Sequence, residues 1–189
     1  MNNETITIVS GLPRSGTSMM MKMLEAGGMQ ILTDHIRAAD ADNPKGYYEF
    51  ERVKQIARDK TWLPEARGKA VKIISELLKH LPPDYKYKVI FMQRQIEETL
   101  ASQRQMLIRR GETINAEDEK LAALLRRHLV WLNTRLKKKA NTEVAYVDYG
   151  AVIANPAGQA RSINQFLHRR LDVAAMAGAV DPLLYRQRQ

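Results

Sequence analysis

The sequence predicts an α/β domain of three layers, a mainly parallel central sheet flanked by helices. Three observations predict it. Short apolar or β-branched runs alternate with segments of helical period along the chain. A glycine-containing turn, GLPRSGTS at 11–18, follows the first such run and opens a helical pattern. A second polar element, Gln93-Arg94, follows a later apolar run, and in open parallel sheets ligands sit at the carboxyl ends of strands. With 189 residues the chain is long enough for one substantial core and short for two, so 1–189 reads as a single domain.

The strand candidates are Thr5 to Val9, Ala70 to Ile74, Lys88 to Met92 and Glu143 to Val147. Each is short and rich in β-branched or apolar residues. The first helix candidate, Thr17 to Ala26, places Met19, Met20, Met23 and Leu24 on one face. Ile96, Leu100 and Leu107 mark a second helix. From Glu117 to about Lys138, Leu121, Leu125, Leu129, Leu132 and Leu136 recur at helical spacing. Pro156 after Asn155 reads as the first position of a last helix running to about His168. Thr33 to Phe50 shows no period and reads as a long irregular loop.

Composition narrows the function classes. Hydrophobic residues make up 44% and charged residues 27%, as in soluble globular proteins. No apolar run approaches the ~18 residues of a membrane span, and the start, MNNETITIVSG, lacks a basic segment followed by a long apolar one. Zero cysteines exclude disulfides, a thiol nucleophile and thiolate metal sites; the cytoplasm is the expected compartment. The four histidines, at 35, 80, 128 and 168, show no paired spacing, so no metal site is expected. The net charge of +9 suits an anionic partner. No aromatic-rich basic strand or helix-turn-helix accompanies it, so nucleic acid is not the expected one.

The turn after the first strand is a natural anion site. Backbone N–H groups of the turn and of the helix start point outward, and the helix dipole favours negative charge. Gly11 and Gly16 give the turn conformational freedom and let a phosphate approach the backbone. Thr17 and Ser18 add hydroxyls, and Arg14 adds a planar cation with several donors. The nucleoside-triphosphatase loop reads G-x-x-x-x-G-K-[ST], with its lysine on the β- and γ-phosphates. Here Thr17 occupies the lysine position and the cation sits at Arg14. Phosphoryl transfer from a γ-phosphate would lose one of its main electrostatic contacts.

The loop G-x-P-[RK]-S-G-T-[ST] resembles the 5′-phosphosulfate loop of sulfotransferases that use 3′-phosphoadenosine 5′-phosphosulfate (PAPS). A second block, VIFMQRQIEETLASQ at 89–103, resembles that family's 3′-phosphate motif, an arginine ending a strand and a serine eight residues on; Arg94 and Ser102 match. NPKGYYEFE at 43–51, VKII at 71–74, VDYGAVIANP at 147–156 and DPLLYR at 181–186 are weaker matches. Together they are similar to compact bacterial sulfotransferase-like proteins over nearly the whole length, and imply a P-loop-containing domain.

The resemblance implies a division of labour. Arg14 would stabilise charge on the oxygen bridging sulfur and phosphate. Ser15, Gly16, Thr17 and Ser18 would hold the 5′-phosphate, and Arg94 with Ser102 the 3′-phosphate. The acceptor must lose a proton, and Asp34, His35 and Glu49 are the candidate bases. Counting from the first loop glycine, the catalytic glutamate of tyrosylprotein sulfotransferases falls on His35, and a functional arginine on Arg37. Glu49 is the alternative. Lys72 either reaches the sulfate or faces outward from its strand. Tyr47, Tyr48 and Phe50 line an acceptor pocket or pack the loop, and Arg186 and Arg188 are candidates to close over the nucleotide. The family's C-terminal glycine- and lysine-rich nucleotide segment has no counterpart here. The expected acceptor is a small molecule or carbohydrate. Competing readings are a P-loop nucleotide kinase or phosphotransferase, and a nucleotide-binding protein without catalysis.

Overall fold

A computed structural model describes residues 4–34, 36, 46–109, 111 and 118–181. Five strands form one parallel sheet: β1 (Ile6–Gly11), β2 (Ile31–Leu32), β3 (Ala70–Lys72), β4 (Tyr87–Gln93) and β5 (Thr142–Asp148), in the order β2-β3-β1-β4-β5. The helices are α1 (Thr17–Ala26), α2 (Ile96–Arg109), α3 (Asp118–Lys137), α4 (Tyr149–Ala154), α5 (Pro156–Leu167) and α6 (Val173–Gly178). Short 3₁₀ turns span Glu51–Gln55, Leu63–Ala66 and Ser75–His80. This is the three-layer α/β architecture the alternation of strands and helices predicts.

β1 is central and buried at every position, because both sheet faces are covered. On one face Ile6, Ile8, Val71, Ile73, Val89 and Phe91 pack against Trp62, Leu132 and Leu136. On the other, Val9, Ile90 and Met92 meet the α1 methionines and residues of α4, α5 and α6. The predicted α1 stripe is deeper than expected. Met21 is as fully buried as Met20, Met23 and Leu24, because α1 lies between the sheet and α6.

Several boundaries differ from expectation. Strand pairing extends β1 to Gly11 and β4 to Gln93, while β3 ends at Lys72 although the Ile73 amide still donates to the Val9 carbonyl (3.0 Å). The helix at Pro156 is not the last. Asn155 caps it by accepting from the Gly158 amide (2.9 Å), and α6 follows, capped by Asp172 on the Ala175 amide (2.9 Å). β2, α4 and α6 are too short, at two, six and six residues, to impose a visible period. Along α3 only the C-terminal part of the leucine stripe is deeply buried. Leu132 and Leu136 are core residues, whereas Leu121 remains exposed. In the stretch expected to be irregular, the described residues 33, 34, 36 and 46–50 carry no regular element. No helix among the described residues is long and apolar enough to cross a membrane.

The topology positions the site. From β1 the chain runs to one side for β2 and β3, then crosses to the other for β4 and β5. The carboxyl end of β1 therefore opens between those of β3 and β4, at the switch point where α/β sheets bind ligands.

Candidate active site

The loop after β1 ends on α1 with no side-chain cap. Gly16 occupies the cap position at φ 97°, and no acidic residue lies in the first turn. Gly16 thus supplies no capping oxygen and the first turn itself carries no carboxylate, a setting in which the positive end of the helix dipole favours an anion. Glycine is dictated at 16 by conformation and by space: a Cβ there would lie 2.4 Å from Cδ2 of Tyr149. Arg14 also has a left-handed backbone, at φ 71°. For a non-glycine residue this costs about 1–2 kcal/mol, and such strain gathers where a side chain must be aimed.

Arg14 is aimed at α2. Its Nε donates to the hydroxyl of Ser102 at 3.1 Å, and Ser102 is 7% exposed. Arg94, just past β4, donates from Nη1 to the Arg14 carbonyl at 3.2 Å. The two motifs, 80 residues apart at Arg14 and Arg94, are thus in direct contact through both an arginine side chain and a loop carbonyl. Strand pairing makes this possible: β1 and β4 run parallel with Gly11 opposite Met92, so their following loops emerge side by side.

Arg94 is held from two further directions. Its Nε donates to Oε2 of Glu98 at 2.9 Å, with side-chain exposures of 8% and 5%, and its guanidinium lies 4.7 Å from the centroid of the Tyr149 ring. Tyr149 therefore touches both halves of the site, bordering Gly16 and covering Arg94. Neither Glu98 nor Tyr149 was singled out from the sequence. Glu98 lies four residues after Arg94 on one helical face, a spacing that is legible. Tyr149 carries no such signal, because its place depends on β5 packing beside β4.

The remaining loop residues divide. Ser15 is 2% exposed, its amide donates to the Leu12 carbonyl (3.2 Å), and its hydroxyl has no hydrogen-bond partner among the described residues. Thr17 opens α1, half-buried. Ser18 donates to the Tyr47 carbonyl at 3.4 Å and lies 3.4 Å from Lys72 Nζ. Lys72 does not face solvent. Its side chain is 10% exposed; its ammonium bonds the Tyr47 carbonyl, lies 3.7 Å from Oε1 of Glu49 and 5.8 Å from the Tyr47 ring centroid. A lysine at the carboxyl end of β3 thereby links the start of α1 to Glu49.

Of the three candidate bases, Glu49 is placed beside this lysine. Asp34 is engaged in backbone work: its carboxylate accepts from the amides of Glu51 (2.6 Å) and Ile36 (3.1 Å), pinning the loop. His35 lies outside the described residues, as do Arg37, Arg186 and Arg188. The three aromatic residues at 47, 48 and 50 diverge. Tyr47 is buried beside Lys72. Phe50 packs edge-on against Trp62 (centroids 5.6 Å apart) in the core. The Tyr48 hydroxyl donates to Glu25 Oε2 at 2.6 Å; burial and the Glu25 carboxylate raise its pKa.

No protein-family model matches the chain, and no curated protein matches it in sequence. Among solved structures it is similar to the sulfotransferase domain of the Synechococcus PCC 7002 olefin synthase. The TM-score is 0.60 over 100% of this chain and 89% of that one, at 14% identity. At that identity the likeness is one of architecture: the chain has the α/β fold of a sulfotransferase domain.

Proposed function

We propose that this chain is a PAPS-dependent sulfotransferase, moving a sulfuryl group from the nucleotide to a hydroxyl or amine. The observation that carries the reading is the contact between the two phosphate elements, Arg14 with Ser102 at 3.1 Å and Arg94 with the Arg14 carbonyl at 3.2 Å. A 5′-phosphosulfate on the loop and a 3′-phosphate on Arg94 and Ser102 would belong to one nucleotide, and the direct contact of the two elements supports that reading.

The roles follow from donor chemistry. The α1 amides with Thr17 and Ser18 bind the 5′-phosphate, and Ser15 and Gly16 shape the loop around it. Ser102 accepts from Arg14 and keeps its own O–H to donate to a 3′-phosphate oxygen. In the transfer the acceptor oxygen bonds to sulfur while the bond from sulfur to the bridging phosphate oxygen breaks, its electron pair staying on that oxygen. Arg14 and the loop amides stabilise the charge that develops there. The acceptor proton passes to Glu49 or His35. If one of them acts alone, Glu49→Gln and His35→Ala differ in rate by at least about 100-fold.

The test is calorimetry with 3′-phosphoadenosine 5′-phosphate (PAP), ADP and ATP in parallel. A charge-assisted hydrogen bond is worth roughly 1.5–3 kcal/mol, so PAP should outbind ADP by about 10- to 100-fold. Arg94→Ala should erase the difference. Equal affinities for the three nucleotides in the unmutated protein would overturn the proposal.

A further inference from the structure

We infer that the outer face of α3 docks the protein on an anionic lipid surface, lying along the headgroup layer without crossing it. A helix that covers a sheet ordinarily turns apolar residues inward and polar ones outward. The inner face of α3 follows the rule, with Ala122, Leu132 and Leu136 buried. Its outer half does not. Leu121, Leu124, Val130 and Trp131 are all exposed there, Leu124 at 58% and Val130 at 68%. Between and beside them stand Arg127, Arg135, Lys137 and Lys138, and the chain from 120 to 138 holds no aspartate or glutamate. Large apolar side chains set among cations, with no carboxylate, are the pattern of a helix that rests in the interface of an anionic bilayer.

Trp131 is held in place for that role. His128 stacks against its ring, with centroids 6.2 Å apart, and the Arg135 guanidinium lies 5.3 Å from its centroid. His128 is itself fixed, its Nε2 3.0 Å from the Ser75 hydroxyl. The indole stays 44% exposed on the outer half of the helix, and indole rings favour the headgroup level, where an apolar body and a polar tip are both accommodated. The helical period sets Arg127 between Leu124 and Trp131 on one side and Val130 on the other. A protein helix packing on α3 would need a continuous apolar seam, which that arginine interrupts. A headgroup layer takes both, the apolar bodies reaching the acyl boundary and the guanidinium meeting lipid phosphate. Docking by α3 goes beyond the sulfotransferase reading and does not depend on it.

The experiment mixes the full chain with vesicles of phosphatidylcholine alone or with about 30% phosphatidylserine. Co-sedimentation should favour the anionic vesicles by at least about 10-fold, and the preference should shrink as salt rises. Tryptophan emission gives a second readout and should shift to the blue on the anionic vesicles; of the two tryptophans, Trp62 is fully buried, so the shift reports Trp131. Arg127→Glu and Leu124→Glu should each lower partitioning at least about 5-fold. Arg161→Glu makes the same charge change on α5, across the sheet, and should leave partitioning within about 2-fold. Unchanged unfolding temperatures show that the variants are folded, and the vesicle preference of the unmutated protein needs no variant. No binding to the anionic vesicles, equal partitioning onto both kinds, unchanged partitioning in both α3 variants, or a loss in Arg161→Glu as large as in Arg127→Glu overturns the inference. A Trp131 shift produced by an acidic helical peptide of leucine and glutamate repeats, and not by vesicles, overturns it in favour of a protein partner.

Discussion

Replacing Gly16 by alanine tests the geometry of the loop after β1, and Gly28 supplies the control. Both glycines have left-handed backbones, at φ 97° and φ 90°. A Cβ at Gly28 meets nothing within 4 Å, whereas one at Gly16 meets Tyr149 Cδ2 at 2.4 Å and Cε2 at 3.0 Å. The conformational cost of alanine at either site is about 1–2 kcal/mol, offset by roughly 0.4–1 kcal/mol from the stiffer unfolded chain. Gly28→Ala should therefore lose about 0.5–1.5 kcal/mol. Gly16→Ala adds the displacement of a ring that is 6% exposed and wedged against Arg94, at about 1–3 kcal/mol for overpacking. Its total is about 1.5–4.5 kcal/mol. For a domain of this size each kcal/mol lowers Tm by about 2–4 °C, so thermal unfolding separates the two variants. Calorimetry should show PAP binding weakened in Gly16→Ala and unchanged in Gly28→Ala. If the two variants match in Tm and in PAP affinity, Tyr149 does not pack against Gly16 as described.

Two further substitutions probe charge. Glu98→Ala leaves a buried guanidinium without its carboxylate, a change that costs about 3–5 kcal/mol in buried pairs. Because Arg94 keeps the Arg14 carbonyl and the Tyr149 ring, the loss in urea denaturation should fall near 3 kcal/mol; a change below about 0.5 kcal/mol would contradict the pairing. Asp59, on the surface, has its pKa lowered from 3.8 to about 2 by hydrogen bonds from Thr61 and then Arg52. Since the folded value is the lower one, this contribution is present above pH 4 or so and is lost as pH falls towards about 2. Asp59→Asn should flatten that part of the acid limb of stability against pH, and an unchanged limb would refute the assignment.

The elements of the candidate site were legible in the sequence because their signals are local. An apolar run, two glycines and a helical period predict β1, the loop and α1 within two residues of their observed bounds. The Arg94 and Ser102 spacing needs only one strand end and two turns of α2 to be read. β2, α4 and α6 escaped because two to six residues hold too little period. Lys72 remained open for a different reason. In a sheet covered on both faces, alternation does not tell inside from outside, so a lysine at a strand end gives no direction.

By itself, the sequence assembled a candidate anion site: an arginine, hydroxyls and a helix start brought together by short-range chain geometry. Only the tertiary structure decided that Arg14 reaches Ser102, that Glu98 and Tyr149 hold Arg94, and that Lys72 turns inward to Glu49. Those contacts join residues from separate strands and helices. They exist because β3 and β4 pair on either side of β1 and align their carboxyl ends, a register set by burial of both sheet faces rather than by any one segment.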